Sequence, residues 1–332
     1  MHMKKFSLII LIVLAALGAQ AQNRKYIGNF SLFQQYFNPA LTGYEGSVVK
    51  TYYRDQWTGY QDAPRTVFIS GELDLADLKS FGNHRRTGAR SAAAAGKHAV
   101  GLSILHDTFG PFKESQFNAS YSYNVALSED LNLRGGAALT YNLNSLDQTS
   151  LVFDDINDSQ YQNLLQSPNN RVHKLGVNAG LVLSAADYYF GYAVQDLTKG
   201  ALAGGDPYLD NTYTLQHVLQ GGYRRGVTDA FGLVFNGLYR YDSKLKGTLE
   251  GQLKGVYDDT YWAGIGYRNN LALTFTAGMR FKNQFKIGYL REMPSGKGSG
   301  INVGSNELFL TYNLLPPVIT PSFKKRKPLS IW

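Results

Sequence analysis

Enzymes need side chains that move protons, hold metals or attack carbonyls, and this chain spaces such residues poorly for all three. After its first segment, histidines stand at 84, 98, 106, 173 and 217, without the clustering from which metal sites draw their ligands. Each therefore reads as a lumen or turn residue of whatever fold carries it. There is no cysteine, which removes disulfides, thiolate zinc sites and a lipidated cysteine together. Asp154, Asp155 and Asp158 lack the calcium-loop spacing and read as a solvated acidic loop. Gly101-Leu102-Ser103 misses the second glycine of a nucleophile elbow. His106 and Asp107 are adjacent, so a strand would point them to opposite faces. No G-x-G-x-x-G joins a strand to a helix, so phosphate cradling is not indicated. The reading is a protein without catalytic residues, metal or cofactor: not an enzyme.

The elements that carry these residues begin with an export signal. Lys4 and Lys5 precede the apolar run Phe6–Leu17, which is too short to span a bilayer, and Ala19-Gln20-Ala21 fits a cleavage site. Residues 1–21 are thus expected to be a signal peptide. The formal charge of +8 includes those two lysines, which the leader takes with it. What remains is modestly basic, with a local cluster at Lys324, Lys325, Arg326 and Lys327. That suits contact with an acidic partner and brings no recognisable nucleic-acid module.

No later stretch is apolar enough for a transmembrane helix. Instead 23 Tyr, 18 Phe and 35 Gly favour amphipathic strands over helices, whose interiors glycine weakens. Period-two alternation is clearest in Gln116–Leu127, Leu131–Asn144 and Leu245–Val256. On that alternation Leu249→Arg should obstruct assembly and Glu250→Arg should be tolerated. Runs of this length exceed the ~5–6 residues of sandwich strands and match the ~9–11 of tilted membrane strands. About fourteen strands are expected, at 47–56, 65–75, 98–108, 116–127, 131–142, 174–184, 188–197, 216–226, 230–242, 245–256, 260–268, 271–281, 285–291 and 307–315. An even number suits a single-chain bacterial outer-membrane barrel.

From the fourth strand on, tiny Asp- or Asn-containing turns such as Ser128-Glu129-Asp130 and Asp258-Asp259 alternate with connections that include the long 143–173, 198–215 and 292–306. Such asymmetry is that of outer-membrane barrels, with the short side and both termini periplasmic. The basic connection 76–97 breaks the phase, being long on the short side. Lumen-facing positions carry Arg134, Lys174, Arg224, Arg240, Lys246, Glu250, Lys254 and Arg280, a largely basic wet interior. It would serve solubilisation, or contact with an acidic peptide or plug. The expected organisation is a signal peptide (1–21), a periplasmic lead-in (22–46), an all-β transmembrane antiparallel barrel (47–315) and a periplasmic basic tail (316–332).

QQYFNPALTGYEGS followed by YYRDQWTGYQDAPRT resembles the start of the PorP/SprF family of type IX secretion system outer-membrane proteins. VGLSILHDTFGPFKESQFNASYSYNVAL, EDLNLRGGAALTYN, LQHVLQGGYRRG and GSNELFLTYNL are similar to later family blocks, in order. The basic, Ala-rich 76–97 insertion and the Pro- and Lys-rich tail depart from the pattern. The resemblance implies a fourteen-stranded barrel in the outer membrane of Bacteroidota, in contact with outer-membrane lipid. It further implies secretion or surface retention of large exported proteins, often adhesins of gliding motility, through the cargo's C-terminal domain, and partnership with other secretion subunits. Candidate partner contacts are Arg54, Gln56, Trp57 and Asp107 in the family-like blocks. Arg134, Arg240 and Lys254 in the lumen and Lys324, Lys325, Arg326 and Lys327 in the tail complete the set. Trp57 at the first outer hairpin reads as an interfacial belt residue or a cargo contact. A solute channel or porin and a soluble secreted sandwich are the competing readings.

Overall fold

In the computed structural model the described residues are 27–80, 97–147, 171–199, 203–205, 214–242, 247–269, 271–282, 284–295 and 303–315. Alternating side chains produce strands β1 (Val48–Asp55), β2 (Arg65–Asp74), β3 (His98–Phe109), β4 (Phe112–Ala126), β5 (Asn132–Leu146), β6 (Arg171–Ser184) and β7 (Tyr188–Gln195). A short β8 (Ala203–Gly205) is followed by β9 (Gln216–Gly226), β10 (Phe231–Asp242), β11 (Thr248–Tyr257) and β12 (Tyr261–Arg268). The last three are β13 (Ala272–Phe281), β14 (Phe285–Pro294) and β15 (Ser305–Asn313).

Every neighbouring pair is antiparallel, β1 pairs with β15, and β5 pairs with β6, so the sheet closes on itself. The wall is a closed 14-strand antiparallel barrel, with β8 lying outside the closure as a patch on Val172–Lys174. Closure gives each of the fourteen wall strands a neighbour on both sides. Short turns follow their chemistry: Asp258 and Asp259 both take left-handed φ values, 49° and 47°, as tight hairpin turns between twisted strands favour.

The alternation sorts solvents. On β11, Leu249, Leu253 and Tyr257 face outward and are exposed, whereas Glu250, Gln252 and Lys254 face inward and are buried. Tyr257 pairs with Tyr261 near the short-turn end, and Tyr239 pairs with Leu249 towards the other. Between them Leu253 lies level with Phe235 and Ile265, so tyrosine rings flank a band without polar atoms. This is the lipid-facing pattern of a membrane barrel.

Four strands run past their expected ends: β14 continues to Pro294, and β4 starts at Phe112, β5 runs to Leu146 and β6 starts at Arg171. At 15, 15 and 14 residues β4, β5 and β6 outrun the 8 to 10 of β11–β15. Their extensions, such as Lys113-Glu114-Ser115, show little apolar alternation to mark them in the sequence. Both faces of a strand that rises past the lipid are wet, so hydropathy is silent there.

The expectation of a lead-in outside the barrel is overturned for its described part. Residues 27–46 run inside the barrel, with Ile27, Phe30, Phe33, Phe37, Ala40 and Leu41 each no more than 2% exposed. They form a helical turn α1 (Gln34–Phe37) and a 3-10 turn (Pro39–Leu41). The reading of Asn38-Pro39 as a turn is right in form: the Asn38 side chain caps the 3-10 turn by accepting from Ala40 N–H at 2.9 Å. Its place was not legible.

Candidate functional site

The lumen is the site, and its contents correct the expectation of a wet basic interior. At mid-height it is an apolar core. Tyr52, Phe68, Leu105, Val182, Val218, Leu238 and Phe309 from the wall close on Phe30, Phe33 and Phe37 of the plug. The Phe33 ring meets Tyr52 edge-on at 4.8 Å and Phe68 at 5.4 Å between centroids. Such contacts add specific geometry to the burial of large aromatic surface.

The turn at Asn38-Pro39-Ala40 is seated by shape. Gly136 on β5, Gly180 on β6 and Gly191 on β7 face it from adjacent strands, and an added β-carbon would overlap Ala40 N, Asn38 Oδ1 and Asn38 Nδ2 respectively. Asn38 Nδ2 donates to the carbonyls of Leu181 and Tyr192, both at 3.4 Å. Glycine here is therefore a matter of room for another piece of backbone.

Polar wall residues hold the plug's main chain. Glu307 accepts from Gly28 N–H at 2.9 Å and from Asn29 N–H at 3.2 Å, and Gln252 donates to the Gly28 carbonyl at 2.6 Å. Lys50 donates to the Leu32 carbonyl at 3.0 Å, and Gln195 to those of Tyr36 and Phe37 at 2.9 and 3.1 Å. Arg134 donates to the Ala40 and Thr42 carbonyls at 3.0 and 2.8 Å, while Glu72 accepts from Gly43 N–H at 2.7 Å. Buried backbone groups need such partners, and here the wall supplies them in place of a sheet or helix.

Charges are stacked in two sets. Arg54 reaches Glu307 at 3.4 Å and Glu292 at 2.8 Å; Arg268 reaches Glu292 and Glu250, both at 3.0 Å; Arg240 reaches Glu250 at 2.6 Å. This continuous chain of alternating charge spans β1, β15, β14, β12, β11 and β10 near the long-connection end. Towards the short-turn end Glu45 of the plug lies 3.7 Å from Lys50 and 3.4 Å from Lys286, and Lys50 lies 3.1 Å from Glu72. Burial alone would raise the Glu45 carboxyl, but Lys286 and Lys50 outweigh it and hold it below the usual carboxylate range.

Each candidate partner residue can now be placed. Arg54 is 1% exposed and committed to its two glutamates. Arg134 and Lys254 hold the plug, the latter through Asn29 Oδ1 at 3.1 Å and Ser31 Oγ at 2.6 Å. Arg240 pairs with Glu250 and lies over the Phe37 ring at 5.7 Å. Asp107 is buried and accepts from Thr66 Oγ1. Gln56 N–H donates to the Pro64 carbonyl in the first hairpin. Trp57 sits at that hairpin's tip with φ 47° and packs edge-on against Phe109, centroids 5.5 Å apart. Lys324, Lys325, Arg326, Lys327, Lys246, His84 and the acidic 154–158 segment lie outside the described residues.

Two further expectations change. Glu250 accepts from Arg240 and neighbours Arg268, so Glu250→Arg would force a third guanidinium into that pair. It is no tolerated substitution. The described histidines are neither lumen nor turn residues: they stand on the outward face near strand ends. His98 bonds Tyr121 at 2.7 Å, His217 bonds Tyr192 at 2.7 Å, His106 bonds Ser115 at 2.9 Å and His173 bonds Tyr141. They belong to the interfacial aromatic belts, where an amphipathic ring meets both lipid and water. Among the described residues no group of His, Asp and Glu could hold a metal ion, and no helix is long and apolar enough to cross a membrane.

A closed barrel with a lipid-facing apolar band and a lumen filled by its own N-terminal segment defines the class: a plugged outer-membrane β-barrel. Residues 19–312 match the family model described as "Type IX secretion system membrane protein PorP/SprF", and the chain belongs to that family. No curated protein is similar enough in sequence to match it. Among solved structures it is similar to the "CymD monoaromatic hydrocarbon channel", at 13% identity and TM-score 0.47, covering 88% of this chain and 94% of that one. A Pseudomonas aeruginosa FadL homologue gives 13% and 0.43 with 83% and 93% coverage. The Pseudomonas putida toluene transporter TodX gives 9% and 0.45 with 87% and 94%.

Proposed function

We propose that this chain is a closed, non-enzymatic anchoring barrel of the type IX system. It holds an exported surface protein, of the adhesin type used in gliding motility, through that cargo's C-terminal sorting domain, alongside other secretion subunits. The observation that carries this reading over a solute channel is the plug. Residues 27–46 fill the lumen with an aromatic core and main-chain hydrogen bonds, and a diffusion pore has no use for either. Affinity purification from native outer membrane should recover an exported chain with a C-terminal domain. The same purified barrel should stay silent in a planar bilayer. A large, steady conductance with no co-eluting cargo would overturn the proposal in favour of a porin.

The reading also fixes an orientation, with the short turns and both termini periplasmic. The chain has no cysteine of its own, so single cysteines report cleanly. Cysteines placed in 198–215 or 292–306 should react with an impermeant thiol reagent on whole cells, and those at Ser128 or Thr228 should not. The reverse pattern would invert the barrel.

A further inference from the structure

The manner in which the plug is held carries more than the fact that it is held. Gln252, Glu307, Lys50, Gln195, Gln220 and Arg134 each make hydrogen bonds to carbonyls or amides of the plug's main chain, between Gly28 and Thr42. They come from β11, β15, β1, β7, β9 and β5, so the reading surrounds the segment. Main-chain groups are the same in every polypeptide, so this part of the contact recognises a peptide in a given path whatever its side chains. Side-chain selection is added by the glycine seat for Asn38-Pro39-Ala40, the aromatic slots for Phe30, Phe33 and Phe37, Lys254 on Asn29 and Ser31, Ser120 on Thr42, and Lys50 and Lys286 on Glu45. At Gln34 the wall reads the carbonyl from Gln220 at 3.5 Å, while the amide nitrogen of the Gln34 side chain has no hydrogen-bond partner.

We propose that the lumen is a polypeptide-binding channel, that residues 27–46 are its tethered resident, and that a segment of a partner polypeptide occupies the same main-chain contacts when the resident withdraws. The tether runs from Gly46 directly into β1, so the resident acts at an effective concentration in the millimolar range. A competing segment must bind well enough to overcome that. The proposal concerns the lumen alone. It is tested with purified barrel and peptide, so it can fail while the anchoring role stands, or the reverse.

The probe is a synthetic, fluorescently labelled peptide of residues 27–46. Barrel lacking residues 27–46, refolded and checked by heat-modifiable mobility, should bind it saturably. A Gln34→Ala peptide should bind within about threefold, because a neutral side-chain hydrogen bond that is not made costs nothing to remove. A peptide N-methylated at Gly28 should bind roughly tenfold or more weakly, because it loses a hydrogen bond to a charged acceptor. If the shortened barrel does not fold, full-length Ser31→Cys serves. Its single thiol should be slow to label, and millimolar free peptide should accelerate labelling to a plateau. Absence of peptide binding by the folded shortened barrel, labelling indifferent to peptide, or equal affinity of the N-methylated peptide would each overturn the proposal.

Discussion

Arg54→Met should lower barrel stability by about 3–5 kcal/mol, the usual cost of stranding a buried charge by removing its partner. Glu307 is fully buried and Glu292 nearly so, and Arg54 bridges them. Methionine keeps the length of the side chain and takes away the charge, leaving Glu307 with only the two plug amides for company. The readout is the urea midpoint of the heat-modifiable band, together with the amount of folded barrel in outer membranes. Arg54→Met combined with Glu307→Gln should recover part of the loss, because an ion pair removed as a pair costs far less than one removed by half. A single mutant with wild-type midpoint and abundance would show that the charge chain is not structural. Arg54 would then return to the set of side chains available to a partner.

Leu253→Arg should impair assembly by about 2–4 kcal/mol, the cost of a charge at mid-bilayer on the lipid face of a barrel. The position matters more than the strand. Leu249, which the alternation alone suggests for this test, pairs with Tyr239 at the aromatic girdle on the long-connection side, where the same charge costs about 0–1 kcal/mol. Leu253 pairs with Phe235 and Ile265 between the girdles. Outer-membrane yield and heat modifiability of the two variants should therefore separate clearly, with Leu249→Arg near wild type. Equal behaviour would mean that the depth assignment, and with it the membrane band, is misplaced.

The two tests probe different layers of information. Period two in Leu245–Val256 is a local property, and it places Leu249, Leu253 and Glu250 on their correct faces without reference to the fold. Depth and partnership were not local. Leu249 is shallow because of how β10 and β11 are registered, and Glu250 is intolerant because Arg240 and Arg268 arrive from flanking strands. The polar extensions of β4, β5 and β6 and the outward placement of the histidines are not legible for a related reason. Hydropathy reports a strand only where its two faces meet different solvents, and a histidine at a belt looks like a histidine in a turn.

By itself the sequence determined the fourteen wall strands, their even count, the apolar lipid-facing residues and the family, because each is written in repeating or contiguous residues. The plug was decided only by the tertiary structure. QQYFNPALTG carries no period of two and no long apolar run, so nothing local distinguishes a segment lying beside a barrel from one lying within it. The partners that settle the question are remote: Glu307 lies 279 residues from Gly28, and Gln252 lies 224. The glycines that admit Asn38-Pro39-Ala40 lie on β5, β6 and β7. Only closure of the wall brings them to one point, and an aromatic segment then fills the interior that closure creates.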